Sequence, residues 1–492
     1  MNKPDFTDCA GNPIITSIFT ADPSAHVWPT DPNRLYLYPS TDIFPAYGCD
    51  RMDRYHVFST DNMADWIDHG EILRRDDLPE DTWGPHFSDA YFMWAPDAAY
   101  NENCPDGKGP YFYYFPHKIT GKGQDRPGGS WMVGIAWSDS PCGGFKDHEV
   151  VMLKDKDGNP ISSSIDPCVF RDGDEYYMVI GGAQECRIAK MNSNMMQLAE
   201  DYVVMTQNNA HQTESPVYNK IPHYHEGPWM FTRVNDSGAK IYYLMYPGAI
   251  GGKGDDMLYA ISDNPYGPWE YKGSFLKPVG TGDTSHGSIV EFKGKWYVFY
   301  HNAEISGAGN LRSVCADELF WNPDGTIIPV EQTKTGIRAI APRVPTGTVG
   351  LEVKYHELSN GAEGSYTAST TYSVTAENCR IVNADLVDGL VHNMQNAGAY
   401  IEFSGIDGGK GGRALISVTY ATEGGAAGKV DASGDPEGSG YFLKMPSTGS
   451  WDSVTGCAGC LIDLLPGKDN VIRLSGGMGG YNTQKIVVSL AT

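Results

Sequence analysis

Ile165-Asp-Pro-Cys-Val-Phe-Arg-Asp-Gly-Asp-Glu-Tyr-Tyr-Met-Val-Ile180 is the stretch that decides the fold. An acid before proline opens a short apolar run, Arg171-Asp-Gly-Asp makes a tight polar turn, and an aromatic-rich run follows, which is the signature of a β-hairpin. The same phrase recurs on both sides of it. Ala21-Asp-Pro-Ser-Ala-His-Val-Trp leads to Arg34-Leu-Tyr-Leu-Tyr, and Trp94-Ala-Pro-Asp-Ala-Ala-Tyr leads to Tyr111-Phe-Tyr-Tyr-Phe. Glu226-Gly-Pro-Trp-Met-Phe-Thr-Arg leads to Lys240-Ile-Tyr-Tyr-Leu-Met-Tyr, and His286-Gly-Ser-Ile-Val-Glu-Phe leads to Lys295-Trp-Tyr-Val-Phe-Tyr. Five copies at intervals of roughly 50 to 70 residues predict five blades of a β-propeller. Tyr55-His-Val-Phe-Ser-Thr and Met132-Val-Gly-Ile-Ala-Trp-Ser read as outer strands of the blades. Radial repetition aims the residue that opens each innermost strand at a shared axis.

The repeat stops in the Pro- and Gly-punctuated stretch Ala341-Pro-Arg-Val-Pro-Thr-Gly-Thr-Val-Gly. Beyond it, Ala399-Tyr-Ile-Glu-Phe, Arg413-Ala-Leu-Ile-Ser-Val-Thr-Tyr, Asn470-Val-Ile-Arg-Leu and Lys485-Ile-Val-Val-Ser-Leu alternate as in an antiparallel β-sandwich. The expected chain is all-β: a five-bladed propeller over 1–340, then a sandwich of jelly-roll type over 350–492.

The formal charge is −24, from 37 basic and 61 acidic side chains. With no basic tract, a polyphosphate partner has nothing to neutralise its phosphates, so nucleic acid is excluded as a partner. Short apolar runs exclude a membrane-spanning segment, and the oligomeric state is left open. The 29 Tyr and 11 Trp fit strands and also offer flat faces for sugar rings. Ten cysteines are too few for a disulfide scaffold. Cys457-Ala-Gly-Cys460 has redox or zinc spacing but no second pair beside it, so free thiols or a strained disulfide are expected. The first residues lack the apolar core of a signal peptide. A secreted or periplasmic protein whose signal lies outside this sequence is expected, with a cytoplasmic one as the other option.

If the blade-opening residues converge, Asp22, Asp166 and Glu226 meet at the axis. Glycoside hydrolysis needs a protonated acid for the leaving oxygen and a carboxylate facing the anomeric carbon. A third carboxylate raises the acid's pKa. Asp97 and Asp172 to Asp174 are read as turn residues.

At this point the chain resembles glycoside hydrolase family 43, whose marks stand in order at Asp22-Pro, Trp94-Ala-Pro-Asp, Ile165-Asp-Pro, Glu226-Gly-Pro and His286-Gly-Ser. The resemblance implies inverting hydrolysis of α-L-arabinofuranosyl or β-D-xylosyl linkages in plant hemicellulose: arabinoxylan, arabinan or xylo-oligosaccharides. Asp22 then stands as general base, Glu226 as general acid and Asp166 as the residue that raises the acid's pKa. Glu214, in Thr213-Glu-Ser-Pro, is the competing acid but lacks the strand continuation that Glu226 has. Trp94 and Phe44 are similar to walls of the innermost subsite, and Arg312 resembles the arginine that reaches substrate and base. His286 is similar to the channel histidine found beside calcium. No organic cofactor is required, and a structural calcium is the one ion the resemblance raises, although the sequence supplies no Asp-rich loop for it. The C-terminal part resembles a family 6 carbohydrate-binding module, with Trp451 and Tyr400 as its candidate glycan aromatics. Asn101 to Gln124 and Gly248 to Asp256 are expected to rim the pocket. Two other functions fit the same repeat: a retaining fructan- or sucrose-type hydrolase of the related propeller clan, and a non-catalytic glycan-binding propeller. Ala-Asp-Pro, Ile-Asp-Pro and Glu-Gly-Pro, where that clan has Asn-Asp-Pro, Arg-Asp-Pro and Glu-Cys, argue against the first.

Overall fold

The computed structural model describes residues 11–16, 18–43, 49–64, 66–79, 83, 92–119, 130–161, 164–182, 185–206, 221–235, 237–250, 254–278, 284–340, 358–359, 366–434, 441–445, 447–476 and 479–491. Phe44 and Glu214 lie outside these residues.

Five sheets of consecutive antiparallel strands form the propeller. The first holds β1 (Thr20–Trp28), β2 (Asp31–Thr41), β3 (Arg54–Thr60) and β4 (Ile67–Arg74). The second holds β5 (Asp97–Tyr100), β6 (Tyr111–Ile119), β7 (Ser130–Ser138) and β8 (Val151–Met152). The third runs β9 (Ile165–Asp172), β10 (Glu175–Gly181), β11 (Arg187–Lys190) and β12 (Val203–Val204). The fourth runs β13 (Trp229–Val234), β14 (Lys240–Gly248), β15 (Asp256–Ser262) and β16 (Glu270–Leu276). The fifth has three strands, β17 (Ser288–Phe292), β18 (Lys295–Asn302) and β19 (Ser313–Leu319). Each hairpin quoted from the sequence is the inner pair of a blade.

A single blade cannot bury both of its faces, so the core lies between blades. Tyr38, Tyr55, Tyr113 and Phe115 fill the seam of the first two blades, and Tyr243, Met245, Val298 and Tyr300 that of the last two. Full burial of an aromatic or large aliphatic side chain contributes about 1.5–3 kcal/mol. The ring closes non-covalently through residues 11–20. Ile14 N–H donates to the Val314 carbonyl, Thr20 N–H to that of Arg312, and Asn12 Oδ1 accepts from Ala316 N–H. Ile15, Ile18 and Phe19 pack with Leu311, Val314 and Ala316 in the same seam.

The inner strands β1, β5, β9, β13 and β17 all begin at one end of the axis, and this end carries the site. At two of them the entry is bulged. The β1–β2 register shifts between Ala21 and Ser24, and the β9–β10 register between Val179 and Gly181, opposite Ile165 and Cys168. The residues in these bulges, Asp22 and Asp166, have φ of 48° and 51°. Left-handed backbone is unfavourable for a side chain with a Cβ, though Asp tolerates it better than most. A bulge re-aims the side chain it carries, here out of the blade and onto the axis.

The C-terminal strands form a seven-stranded and a five-stranded sheet, a β-sandwich around Ile401, Phe403, Ile416, Val418, Ile462, Leu474 and Ile486. Gly412–Ala421 is central, paired to Gly456–Leu464 on one side and Asn482–Ala491 on the other. Cys460, in Gly456–Leu464, is fully buried. Ala427 joins the seam of the first and fifth blades, which ties the sandwich to the propeller.

Candidate active site

Asp22 is almost fully buried, and the groups bonded to its side chain favour the carboxylate. Ser40 Oγ donates to Oδ2 at 2.7 Å and Arg312 Nη1 to Oδ1 at 3.2 Å. Its own N–H donates to His301 Nδ1 at 2.9 Å, while His301 Nε2 stands 2.9 Å from the Thr284 carbonyl. That pair of partners fixes the tautomer: Nδ1 accepts, so the proton of the neutral ring sits on Nε2. Burial alone would raise the Asp22 carboxyl, but the Arg312 guanidinium, joined by His301 and His286 at the low pH where they carry a proton and by the Ser40 hydrogen bond, outweighs it and brings the group down to about 2. Burial drives His301 the other way, to about 3, and so keeps it neutral. Arg312 is held from behind by Asp42, with Nε 2.9 Å from Oδ2 and Nη2 2.8 Å from Oδ1, a bidentate grip that only the planar guanidinium can make.

Asp166 and Glu226 form the other half. Asp166 is buried, and its Oδ2 accepts the N–H of Gly227 at 3.0 Å, which ties it to the residue beside Glu226. Gly227 has φ of 55°, and a Cβ there would stand 3.1 Å from the His286 ring, so the turn needs glycine. Burial, then the charge of Glu226, pushes the Asp166 carboxyl well above the usual carboxylate range, with Asp22 adding to the rise. Burial likewise lifts Glu226, with His225 pulling against it and Asp22 and Asp255 pushing with it. The three acids therefore sense one another, as axial convergence requires. One is held ionised and two are pushed toward the protonated form, and such a split separates a base from an acid.

Several residues with a part in this arrangement were not singled out from sequence. Asp97 is no turn residue: it opens β5, is 1% exposed, and stitches three blades together. Its Oδ1 accepts from Ser24 Oγ and meets His26 Nε2, both at 2.7 Å, and its Oδ2 accepts the Val169 N–H at 2.6 Å. The Trp-Ala-Pro-Asp phrase at an inner-strand start was the signal that could have found it. Asp172 ends β9 and takes the Tyr242 hydroxyl, a structural contact. Trp94 is partly exposed, its Nε1 donates to the Cys49 carbonyl at 2.7 Å, and its ring packs on Trp131 with centroids 4.2 Å apart. Phe92 and Lys118 complete this cluster at the site end. Of the expected rims, Gly248 and Asp256 do flank the site end. Asn101 to Pro110, however, follows the far end of β5, where Asn101 Nδ2 donates to the Ser193 carbonyl, and this part is no rim; 111–119 is β6, which returns to the site end, and 120–124 lie outside the described residues. A chain leaving an inner strand emerges at the opposite mouth, which composition alone does not reveal.

His286 lies 3.9 Å from Asp22 through Nδ1, and burial lowers its pKa. Among the described residues no three His, Cys, Asp or Glu side chains gather as a metal site. Calcium asks for six to eight oxygens, whereas the Asp22 oxygens are already bonded to Ser40 and Arg312. The described side-chain donors do not fit the ion. In the sandwich, Trp451 is 38% exposed with Nε1 donating to Glu423, while Tyr400 has its face covered by Arg473 at 4.5 Å. Among the described residues no helix is long and apolar enough to cross a membrane.

The chain is similar to "Xylosidase/arabinosidase 43A" of Humicola insolens, at 34% identity across 64% of this chain and 98% of that one. It is also similar to an "Arabinoxylan arabinofuranohydrolase" of Paenibacillus polymyxa, at 26% across 96% of this chain and 72% of that one. Among solved structures, a family 43 β-xylosidase/α-arabinofuranosidase from a compost metagenome, complexed with xylotriose in a calcium-free form, superposes with a TM-score of 0.50. Its identity is 33%, over 65% of this chain and 97% of that one. The profile described as "Glycosyl hydrolases family 43" matches residues 10–327, the whole propeller up to β19. With the axial acids on a five-bladed frame and the family match over the propeller, the chain is a glycoside hydrolase and belongs to glycosyl hydrolase family 43.

Proposed function

We propose that the protein is an inverting exo-acting hydrolase that releases α-L-arabinofuranose, β-D-xylose or both from arabinoxylan, arabinan and xylo-oligosaccharides. Residues 1–340 are the catalytic unit in this proposal, and 350–492 an accessory unit that meets glycan through Trp451. The observation that carries it is the opposed protonation of the axial acids: Asp22 brought down to about 2, Glu226 pushed up by burial and by Asp22. Asp22 takes a proton from water as the water oxygen bonds to the anomeric carbon from one face. Glu226 gives its proton to the glycosidic oxygen as that bond breaks on the other. Asp166, uncharged beside Glu226, orients it through the Gly227 N–H. Arg312 and Trp94 meet the sugar. The xylosidase and arabinosidase relatives support pentose as the substrate class.

The test uses aryl arabinofuranoside, aryl xyloside, arabinan and xylan. Asp22→Asn is expected to lose roughly 10²–10⁴-fold in kcat on all active substrates, the usual worth of general acid–base catalysis. Glu226→Gln is expected to lose as much on polysaccharide but little on an aryl glycoside whose leaving group needs no proton. The first sugar seen by NMR should have the opposite anomeric configuration to the substrate. Retained configuration would favour the fructan-type mechanism. Loss of activity in Glu214→Gln with Glu226→Gln active would move the acid to Glu214. Absence of product from every substrate would leave a glycan-binding propeller.

A further inference from the structure

The residue before the proposed acid is a histidine pinned at both ends. His225 N–H donates to the Pro247 carbonyl at 3.0 Å, and its Nδ1 meets Asp255 Oδ2 at 2.6 Å. Asp255 is buried, and its carbonyl accepts the Ser285 hydroxyl at 2.7 Å, while the imidazole is about half exposed at the mouth of the site. Two adjacent blades, the fourth and the fifth, therefore fix one ion pair beside Glu226. The other described charges acting on Glu226 are Asp22 from β1 and Arg312 ahead of β19, with Asp166 from β9 pushed toward its neutral form beside it, and neutral Tyr224 on its own segment and His286 ahead of β17 close by. Burial and the nearby negative charges of Asp22 and Asp255 are a hazard for a general acid. They make it bind its proton so tightly that it cannot release it to the leaving oxygen, and the best acid has a pKa near the working pH.

We propose that His225, latched to Asp255, is a positioning residue that acts through Glu226, supplying the fixed positive charge that keeps the acid's proton transferable. This rests on Glu226 being the acid. Asp255 makes the charge permanent over the working range, since its hydrogen bond raises His225 to about 9. Above that pH the histidine neutralises and Glu226 holds its proton more firmly.

The experiment is a set of pH profiles of kcat/KM on a substrate with a poor leaving group, for wild type, His225→Gln, His225→Lys and Asp255→Asn. Removing the cation should move the alkaline limb up by about half to one pH unit. It should also cut the plateau roughly threefold, because a tighter proton transfers less readily. His225→Lys restores a cation and should bring the limb back toward the wild-type position. Asp255→Asn lets His225 lose its charge near neutrality as the negative charge also goes, so its limb should move less than that of His225→Gln. A uniform drop in kcat/KM with an unmoved limb in His225→Gln, unrelieved by Lys, would make the pair structural and overturn the inference. Glu226→Gln is run beside them: if it keeps the alkaline limb and the activity, the assignment of the acid fails and the His225 result is not the cause.

Discussion

At the scale of single residues, the site depends on one guanidinium shared by two buried carboxylates. Arg312 reaches Asp22 with Nη1 and grips Asp42 with Nε and Nη2. Removing one member of a buried, hydrogen-bonded set strands the rest, which typically costs about 3–5 kcal/mol. Arg312→Met should therefore lower the propeller's unfolding free energy in urea by that order and abolish activity. Arg312→Lys, a point charge without the fork, should recover part of the stability but leave Asp22 less acidic, which a rise in the acid limb of kcat/KM would report. Asp22, Asp166 and Glu226 were legible in the sequence because each opens a repeat unit, and periodicity carried the inference. Asp42 and His301 were not. Their partners lie 270 and 279 positions away in the chain, and their neighbours carry no mark of the pairing. His225 stood in view beside Glu226, but its meaning comes from Asp255 on the next blade-top loop.

At the scale of elements, the ring needs something to hold its last blade, which among the described residues has three strands where the others have four. Residues 11–20 supply it, with Asn12 as the pin. Asn12 Nδ2 donates to the carbonyls of Ala316 and Thr333 at 3.0 and 2.8 Å, and Oδ1 accepts from Ala316 N–H at 2.9 Å. Nearby, Asp317 takes the Tyr300 hydroxyl at 2.6 Å. Asn12→Ala leaves buried backbone groups of the edge strand unpaired, a loss of about 1–3 kcal/mol. Hydrogen exchange should then rise first in β19 and at 333–335, with the amides of β9 and β10 unchanged; a uniform rise would show that the closure is not where the ring opens. The hairpins that make up the blades were readable because alternation and turn residues are local. The closure was not, since it joins an irregular segment to a strand some 300 residues on. The bulges at Asp22 and Asp166 were half legible: Asp-Pro announced a special backbone, while the left-handed turn at the Asp depends on the partner strand.

At the scale of the whole molecule, the charge of −24 acts against compactness, and lowering the pH relieves that repulsion as carboxylates protonate. Buried axial groups impose opposite trends on top of it. Asp166 and Glu226, both raised, favour the fold in their protonated forms and lose that advantage as pH rises through their folded values. His301 works the other way. Buried between Asp22 and Thr284, it stays neutral down to about 3, whereas in the unfolded chain it takes a proton near its ordinary value of 6.5. Between those two values the unfolded state binds one more proton than the folded state. Stability contributed by this residue is therefore complete above 6.5 and falls with decreasing pH at about 1.4 kcal/mol per unit until near 3. His301→Gln removes the titration whatever it does to the intercept. The difference in unfolding free energy between wild type and His301→Gln, followed by tryptophan fluorescence in urea at half-unit steps from pH 7.5 to 4.5, should be flat above 6.5. Below 6.5 it should shrink with the slope of one proton, because the surface charge is common to both proteins and cancels. A difference that stays constant down to 4.5 would mean that the folded protein protonates His301 as readily as the unfolded chain does. The neutral tautomer that receives the Asp22 N–H would then not be the one that holds the base in place.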